Sequence, residues 1–182
     1  MGNWLTSLVQ EHIEKEDMVL DLGCGIMGAT YDIVCRGIVA VDAWYPYVNM
    51  NKNKYPVMCM ELNRETIEYF LNDSFDVVLA LDFVEHLNTK EEGFHMMKHM
   101  ERIARKKVVI FTPIGFEPMD DGELWAKGNP KYQSHKCGFT EDEFKMLGYT
   151  LSYHKSSIQG RDIGTMLAVK DVRNVSANGS VT

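Results

Sequence analysis

A doubly wound α/β fold, with seven strands in one mostly parallel sheet and an antiparallel last strand, is predicted by three features of this sequence. Short apolar runs alternate with amphipathic stretches, Gly23-Cys24-Gly25 interrupts the chain directly after the first run, and the second run ends on Asp42. Strands that alternate with helices make parallel sheets covered on both faces. A glycine turn at the carboxyl end of the first strand is where such sheets take nucleotide-like ligands.

The elements follow in order. Leu5, Leu8, Val9 and Ile13 fall at helical spacing over residues 4–15 and predict an amphipathic opening helix. Met18-Val-Leu-Asp-Leu22 reads as the first strand, and residues 28–36 are expected to form the helix after the glycine turn. Ile38 to Asp42, Val57 to Met60 and Phe75 to Leu81 read as strands two to four, with helical stretches near 46–54 and 63–72 between them. Residues 89–105 predict a longer helix with Phe94, Met97, Met100 and Ile103 inside, followed by a fifth strand over Val108 to Thr112. After Pro113 the periodicity stops for roughly 25 residues rich in Gly, Pro and Asp, a length that marks a functional lid or a disordered segment. A helix resumes after Thr140, which with Glu143 spells a capping box. Two closing strands, Tyr149 to Lys155 and Thr165 to Val172, flank a turn at 159–162.

The length of 182 residues suits one domain, and no repeat or linker divides it. Residues 1–173 are therefore read as a single domain with 114–138 as its lid or substrate loop, and the small polar residues 174–182 as a flexible tail. The net charge of -7 disfavours nucleic acid, whose affinity comes from Lys and Arg displacing counterions. No apolar run reaches the ~20 residues that span a bilayer. The four cysteines are far apart, with no CxxC pair and no preceding secretory signal, so reduced thiols and a cytoplasmic location are expected, in a monomer or homodimer.

The glycine turn and Asp42 form the sharpest constellation. A glycine lets the backbone approach a ligand closely. Asp42 stands 19 residues after Gly23, the separation of a carboxylate that accepts hydrogen bonds from a ribose diol. Together they specify an adenosine-type ligand, and nicotinamide cofactors share that fingerprint. Asp21 separates the two classes, because a carboxylate two positions before the first glycine would repel a pyrophosphate and suit a cationic sulfonium or ammonium group.

These residues resemble the class I S-adenosylmethionine-dependent methyltransferases, which have a Rossmann-like fold. The resemblance runs from about residue 17 to 170 and rests on Val19-Leu-Asp-Leu-Gly-Cys-Gly25, Val39-Ala-Val-Asp42 and Ser74-Phe-Asp-Val-Val-Leu-Ala-Leu-Asp-Phe-Val-Glu-His-Leu87. The family often has a third glycine where Met27 stands, and here Gly28 comes one place later. The resemblance implies S-adenosyl-L-methionine as cofactor, bound by the loop Gly23, Cys24, Gly25. Asp21 and Gly23 would lie near its methionine moiety, Asp42 would hold the ribose hydroxyls, and Ala43 would line the adenine face. Glu61 and Leu62 would contact the adenine amino group, and Leu81 and Asp82 would flank the methionine carboxylate and the reacting methyl.

The predicted activity is O-methylation of a small molecule or saccharide by in-line methyl transfer. A hydroxyl acceptor needs its proton removed, which a neutral histidine can do. His86, in Asp82-Phe-Val-Glu-His86, is the leading base, and His135 on the long loop is the second. Either histidine has an ordinary alternative, as a helix cap or an exposed loop residue. Asp82, Glu85, His86 and His135 also resemble the ExxEH plus distal His arrangement of methyltransferases that modify RNA 3′ ends and of some quinone O-methyltransferases, which use a divalent metal. Asp replaces the first Glu here, and its shorter reach leaves no metal assigned. Phe116, Trp125 and Tyr132 are placed to stack on an acceptor or to pin the loop. The segment after Thr112, with Asn129-Pro-Lys-Tyr-Gln-Ser-His135, is similar to a bacterial group associated with glycan or natural-product modification. Two other classes stay open: a nicotinamide-dependent oxidoreductase and a non-catalytic donor-binding subunit. No Asn-Pro-Pro-Tyr follows the fourth strand, so methylation of base amino groups is not supported.

Overall fold

The computed structural model describes residues 4–119, 128–158 and 160–173. Seven strands form one sheet in the order β3-β2-β1-β4-β5-β7-β6. They are β1 (Met18–Leu22), β2 (Gly37–Asp42), β3 (Val57–Cys59), β4 (Phe75–Leu81), β5 (Ala104–Pro113), β6 (Thr150–Ile158) and β7 (Arg161–Asp171). β1 to β5 pair in parallel, and β7 runs antiparallel to both of its neighbours. This is the doubly wound sheet with a reversed last strand that the alternation of elements predicts, and the chain order reverses at β1 and β4, where such sheets open a crevice.

Alternation along the central strands builds two cores. Val77 and Leu79 of β4 pack on one face with Leu5 and Val9 of α1 (Trp4–Gln10). Val78 and Ala80 pack on the other with Met96, Met97 and Met100 of α3 (Lys90–Ile103). Strands buried on both faces read as continuous apolar runs, which is why β4 was visible as one. α2 (Tyr45–Asn51), α4 (Pro130–Gln133) and α5 (Glu141–Met146) complete the helices among the described residues. The capping box at α5 forms as predicted: Thr140 N donates to Glu143 Oε2 at 2.7 Å and Glu143 N to Thr140 Oγ1 at 3.3 Å.

Two predicted helices are replaced. Residues 28–32 form turns, because this segment is claimed by its neighbours: Thr30 donates to Asp21, and the Gln10 side chain bonds both Val34 N (2.7 Å) and Val34 O (3.1 Å). Residues 63–72 shrink to a 3-10 turn over Thr66–Tyr69. There Asn63 Oδ1 accepts from Glu65 N and Thr66 N, while Thr66 Oγ1 accepts from Asn63 N and donates to Glu61 O. Such local side-chain bonds compete with helical ones. Of the turn expected at 159–162, Arg161 and Asp162 instead belong to β7, Gly160 adopts φ 75°, and Gln159 lies outside the described residues. The tail at 174–182 lies outside the described residues.

The long connection from β5 to α5 is pinched at its roots. Gly115 N donates to Phe139 O at 2.8 Å, and a Cβ on Gly138 would collide with the Gly115 carbonyl. Phe139 then inserts against Gly93 of α3, where a Cβ would strike its ring. No helix among the described residues is long and apolar enough to cross a membrane.

Candidate functional site

One cavity opens at the carboxyl ends of β1, β2 and β4, and it collects residues from five separate segments: Gly23 and Gly25, Asp42 to Tyr47, Met60 to Leu62, Asp82 to Asn88, and Lys131 to Lys136. The first three make one half and the last two the other.

In the first half Asp42 is held by the main chain. Its Oδ2 accepts from Gly25 N at 2.8 Å and its Oδ1 from Trp44 N at 2.7 Å. Burial pushes its carboxyl up from the ordinary range, against those two bonds. Each oxygen retains a lone pair, which is the acceptor set a ribose diol needs. Gly25 adopts φ 53°, and a Cβ there would meet nothing within 4 Å, so the backbone borders open cavity. Gly23, at φ 70°, differs: a Cβ there would collide with the Phe83 ring, so its bareness admits a neighbour from the β4 loop. Ala43, Trp44 and Leu62 line the half with apolar surface. These donors, acceptors and walls fit an S-adenosyl ligand.

Asp21, Cys24, Leu81 and His135 do not line the cavity. Asp21 is buried and accepts from Thr30 Oγ1 at 2.7 Å; burial pushes its carboxyl up to about 6, with that bond pulling the other way and Asp42 adding to the rise. It supports the glycine loop from behind. Cys24 is buried and its thiol is pushed far up by burial, which makes it inert. Glu61 lines the cavity but is also paired with Lys131 Nζ at 2.7 Å, which holds its carboxyl below the usual range.

The second half is crowded with titratable groups. Asp82 lines the cavity as an exposed residue with φ 51°, a strained conformation for a residue other than glycine. The surrounding protein raises its carboxyl, and burial raises that of Glu85, with Asp82 adding to the effect. Glu85 Oε2 accepts from Thr112 Oγ1 at 3.1 Å, while Oε1 is buried without a partner. His86 Nδ1 lies 3.3 Å from Ser134 O, and His135 Nδ1 lies 2.6 Å from Glu117 O. A carbonyl only accepts, so each Nδ1 carries the proton and each neutral ring keeps a lone pair on Nε2. Burial lowers His86 to about 4, with the neighbouring His135 and the Lys136 charge adding to the fall, and burial lowers His135 as well. The two rings stand 4.9 Å apart, centroid to centroid. Ligand atoms of Glu85, His86 and His135 all fall within 4.8 Å of one another.

Sequence reasoning held Lys131, Gln133 and Lys136 only as part of the lid or substrate loop, and it missed Trp44, Tyr47, Met60, Phe83, Leu87 and Asn88 as cavity residues. A signal existed for the loop group. Asn129-Pro130 is a cap followed by a first-turn proline, and Asn129 Oδ1 accepts from Lys131 N at 2.9 Å at the start of α4. Of the aromatics placed on the loop, Tyr132 lines the cavity, Phe116 is exposed and does not, and Trp125 lies outside the described residues.

Residues 20–112, half of the chain, match the family described as methyltransferase domain. No sequence among the curated proteins compared matches the chain. Among solved structures, the magnesium protoporphyrin IX methyltransferase of Synechocystis PCC 6803, crystallised with bound SAM, is similar with a TM-score of 0.60 at 17% identity, covering 91% of this chain and 76% of that one. A putative methyltransferase of Bacillus halodurans C-125 is similar at 0.64 and 14% identity, covering 94% and 99%. The 1,6-didemethyltoxoflavin-N1-methyltransferase of Burkholderia thailandensis is similar at 0.59 and 16% identity, covering 92% and 76%. At these identities the structural likeness shows the fold.

Proposed function

The chain belongs to the methyltransferase domain family and is an S-adenosylmethionine-dependent methyltransferase, and from that premise we propose that it methylates a hydroxyl oxygen of a small molecule or saccharide. Family membership sets aside the oxidoreductase and the non-catalytic subunit. When bound, S-adenosylmethionine supplies an electrophilic methyl for in-line displacement, a reaction in which alignment of the partners contributes much of the acceleration. Asp42 holds the ribose hydroxyls, Ala43, Trp44 and Leu62 border the adenine with Glu61 at its rim, and Asp82 borders the reacting end. Gly23, Gly25 and the buried pair Asp21 and Cys24 shape the loop beneath.

The observation that carries the oxygen acceptor is the His86 imidazole, lining the same cavity as Asp42 with its Nδ1 proton given to Ser134 O. Its Nε2 accepts the hydroxyl proton as the methyl bond forms. His135 supports that ring from outside the cavity lining, 4.9 Å away between centroids. We read residues 1–173 as one domain with 114–138, of which 120–127 lie outside the described residues, as the loop over the acceptor, and four free cysteines suit a reducing cytoplasm. We read the chain as a monomer or homodimer.

The test uses a homocysteine-release assay across hydroxylated acceptors, then His86→Ala and His135→Ala. Both variants should bind S-adenosylhomocysteine within about threefold of the unaltered protein and lose about 10²–10⁴-fold in turnover. Loss of that binding instead would remove the two histidines from the proton-transfer role.

A second reading, metal-assisted transfer of the RNA 3′-end or quinone type, is favoured by the Glu85, His86, His135 cluster. Two imidazole Nε2 lone pairs, one unpartnered buried carboxylate oxygen and the neighbouring Asp82 make a donor set suited to a divalent cation. Those residues would then hold the cation and lend it to polarise the acceptor oxygen. Turnover lost in EDTA and restored by Mg2+, Mn2+ or Zn2+ selects this reading, and turnover indifferent to EDTA selects the first.

A further inference from the structure

The returning part of the long connection, residues 129–137, touches both halves of the cavity. Toward the donor half, Lys131 Nζ bonds Glu61 Oε2 at 2.7 Å, the Tyr132 ring stands 6.3 Å from Trp44, and Gln133 Nε2 donates to Tyr47 Oη. Toward the other half, Ser134 O accepts from His86 Nδ1, and Lys136 N and Cys137 N donate to Glu85 O at 2.9 and 3.2 Å.

The two sets of contacts differ in kind. Those at residues 136–137 include two main-chain bonds to Glu85 O beside Lys136 Nζ to Asn88 Oδ1 at 3.2 Å, and they lead into buried Cys137 and Phe139, anchored at Gly115 and Gly93. Those at 131–133 join side chains, and the Lys131–Glu61 pair is about half exposed on both partners. Exposed pairs of this sort hold weakly. The donor-half end also leaves Trp44 Nε1 and Gln133 Oε1 buried without partners, so its closed form is polar but incompletely satisfied.

Resting on the donor-binding reading above, we propose that residues 129–137 are a latch over the S-adenosyl pocket, hinged near Cys137, whose closure also positions His86. Lys131 and Gln133 are its catch. The end at 129–134 lifts to pass the donor and recloses on Glu61 and Tyr47. Ser134, on the same short strap, then brings its carbonyl to His86 Nδ1 and turns Nε2 toward the acceptor. Lys131, Gln133 and Ser134 are positioning residues in this scheme, acting on the reaction through Glu61, Tyr47 and His86.

The experiment is stopped-flow tryptophan fluorescence with S-adenosylhomocysteine as the probe, on the full chain and on Lys131→Met, Gln133→Ala and the double variant. Loosening a weak catch should raise the association and dissociation rates together, each by about fivefold in the double variant, with little change in Kd. A rise in dissociation alone would make the strap an ordinary binding contact and overturn the latch. Unchanged rates would overturn it too. Failure of the unaltered protein to bind the probe would overturn the donor-binding reading itself, and the latch with it. Positioning has its own readout in the ¹⁵N resonances of the His86 ring. They should shift when the probe binds the unaltered protein and stay closer to their free values in the double variant. Equal shifts in both proteins would overturn the link to His86.

Discussion

The donor half and the acceptor half of the cavity lie side by side and are built by opposite means. In the donor half the carboxylate of Asp42 is fixed by two backbone N–H groups, one on each oxygen, from its own strand end and the glycine turn. In the acceptor half Asp82 and Glu85 are driven up by the surrounding protein, one Glu85 oxygen has no partner, and two histidines are driven down. A ligand that is the same in every turnover can be met by fixed main-chain geometry. Chemistry on an acceptor needs groups kept in high-energy states, and such groups concentrate where pKa values are displaced.

The contrast is most exposed to failure at Asp42. Asp42→Ala removes a charged acceptor whose hydrogen bonds are worth about 1.5–3 kcal/mol each, so affinity for S-adenosylhomocysteine should fall by about 100-fold or more in calorimetry. An affinity within threefold of the original would mean that the donor lies elsewhere. A smaller effect tests whether the halves are mechanically separable. Gly93→Ala drives a Cβ into Phe139, the anchor of the acceptor-side loop, and should cost about 1–3 kcal/mol in thermal or denaturant unfolding. Donor affinity measured well below the melting temperature should survive, and its loss would join the two halves into one unit.

The smallest effect concerns Asp21, the carboxylate behind the donor half. Its folded pKa, about 6, is raised above the unfolded value, so its contribution to stability is complete below the unfolded pKa and is lost as pH rises through about 6. The Thr30 hydroxyl limits that loss by bonding the charged form. Thr30→Val should therefore destabilise by about 2 kcal/mol at pH 7.5 and about 1 kcal/mol at pH 5, read from urea unfolding at the two values. Equal losses at both would show that Asp21 does not titrate between them.

Much of the donor half was legible in the residues, because it is local. Gly23, Gly25 and Asp42 are joined by a strand-turn-strand geometry that spacing reports, and Ala43, Glu61 and Leu62 follow at the ends of neighbouring strands. The acceptor half was legible only as a set of chemically able residues. Nothing in the spacing of His86 and His135, 49 positions apart, says that their rings stand 4.9 Å from each other. The glycine turn has a long-range side for the same reason: both glycines line the cavity, and Gly23 also makes room for Phe83, a residue 60 positions away. The helices expected at 28–36 and 63–72 failed where side chains bonded backbone. Gln10 and Asp21 captured the first segment from outside it, and Asn63 and Thr66 diverted the second from within.

By itself the sequence determined the order and kind of most elements, the two-faced burial of the sheet and the carboxylate at the end of β2, since each follows from the periodicity of short stretches. Only the tertiary structure decided which distant residues share the cavity and how the loop from 129 to 137 bridges its halves. It also decided which charges are displaced. Those outcomes depend on desolvation and on contacts between segments far apart in the chain, and neither is a property of any local window.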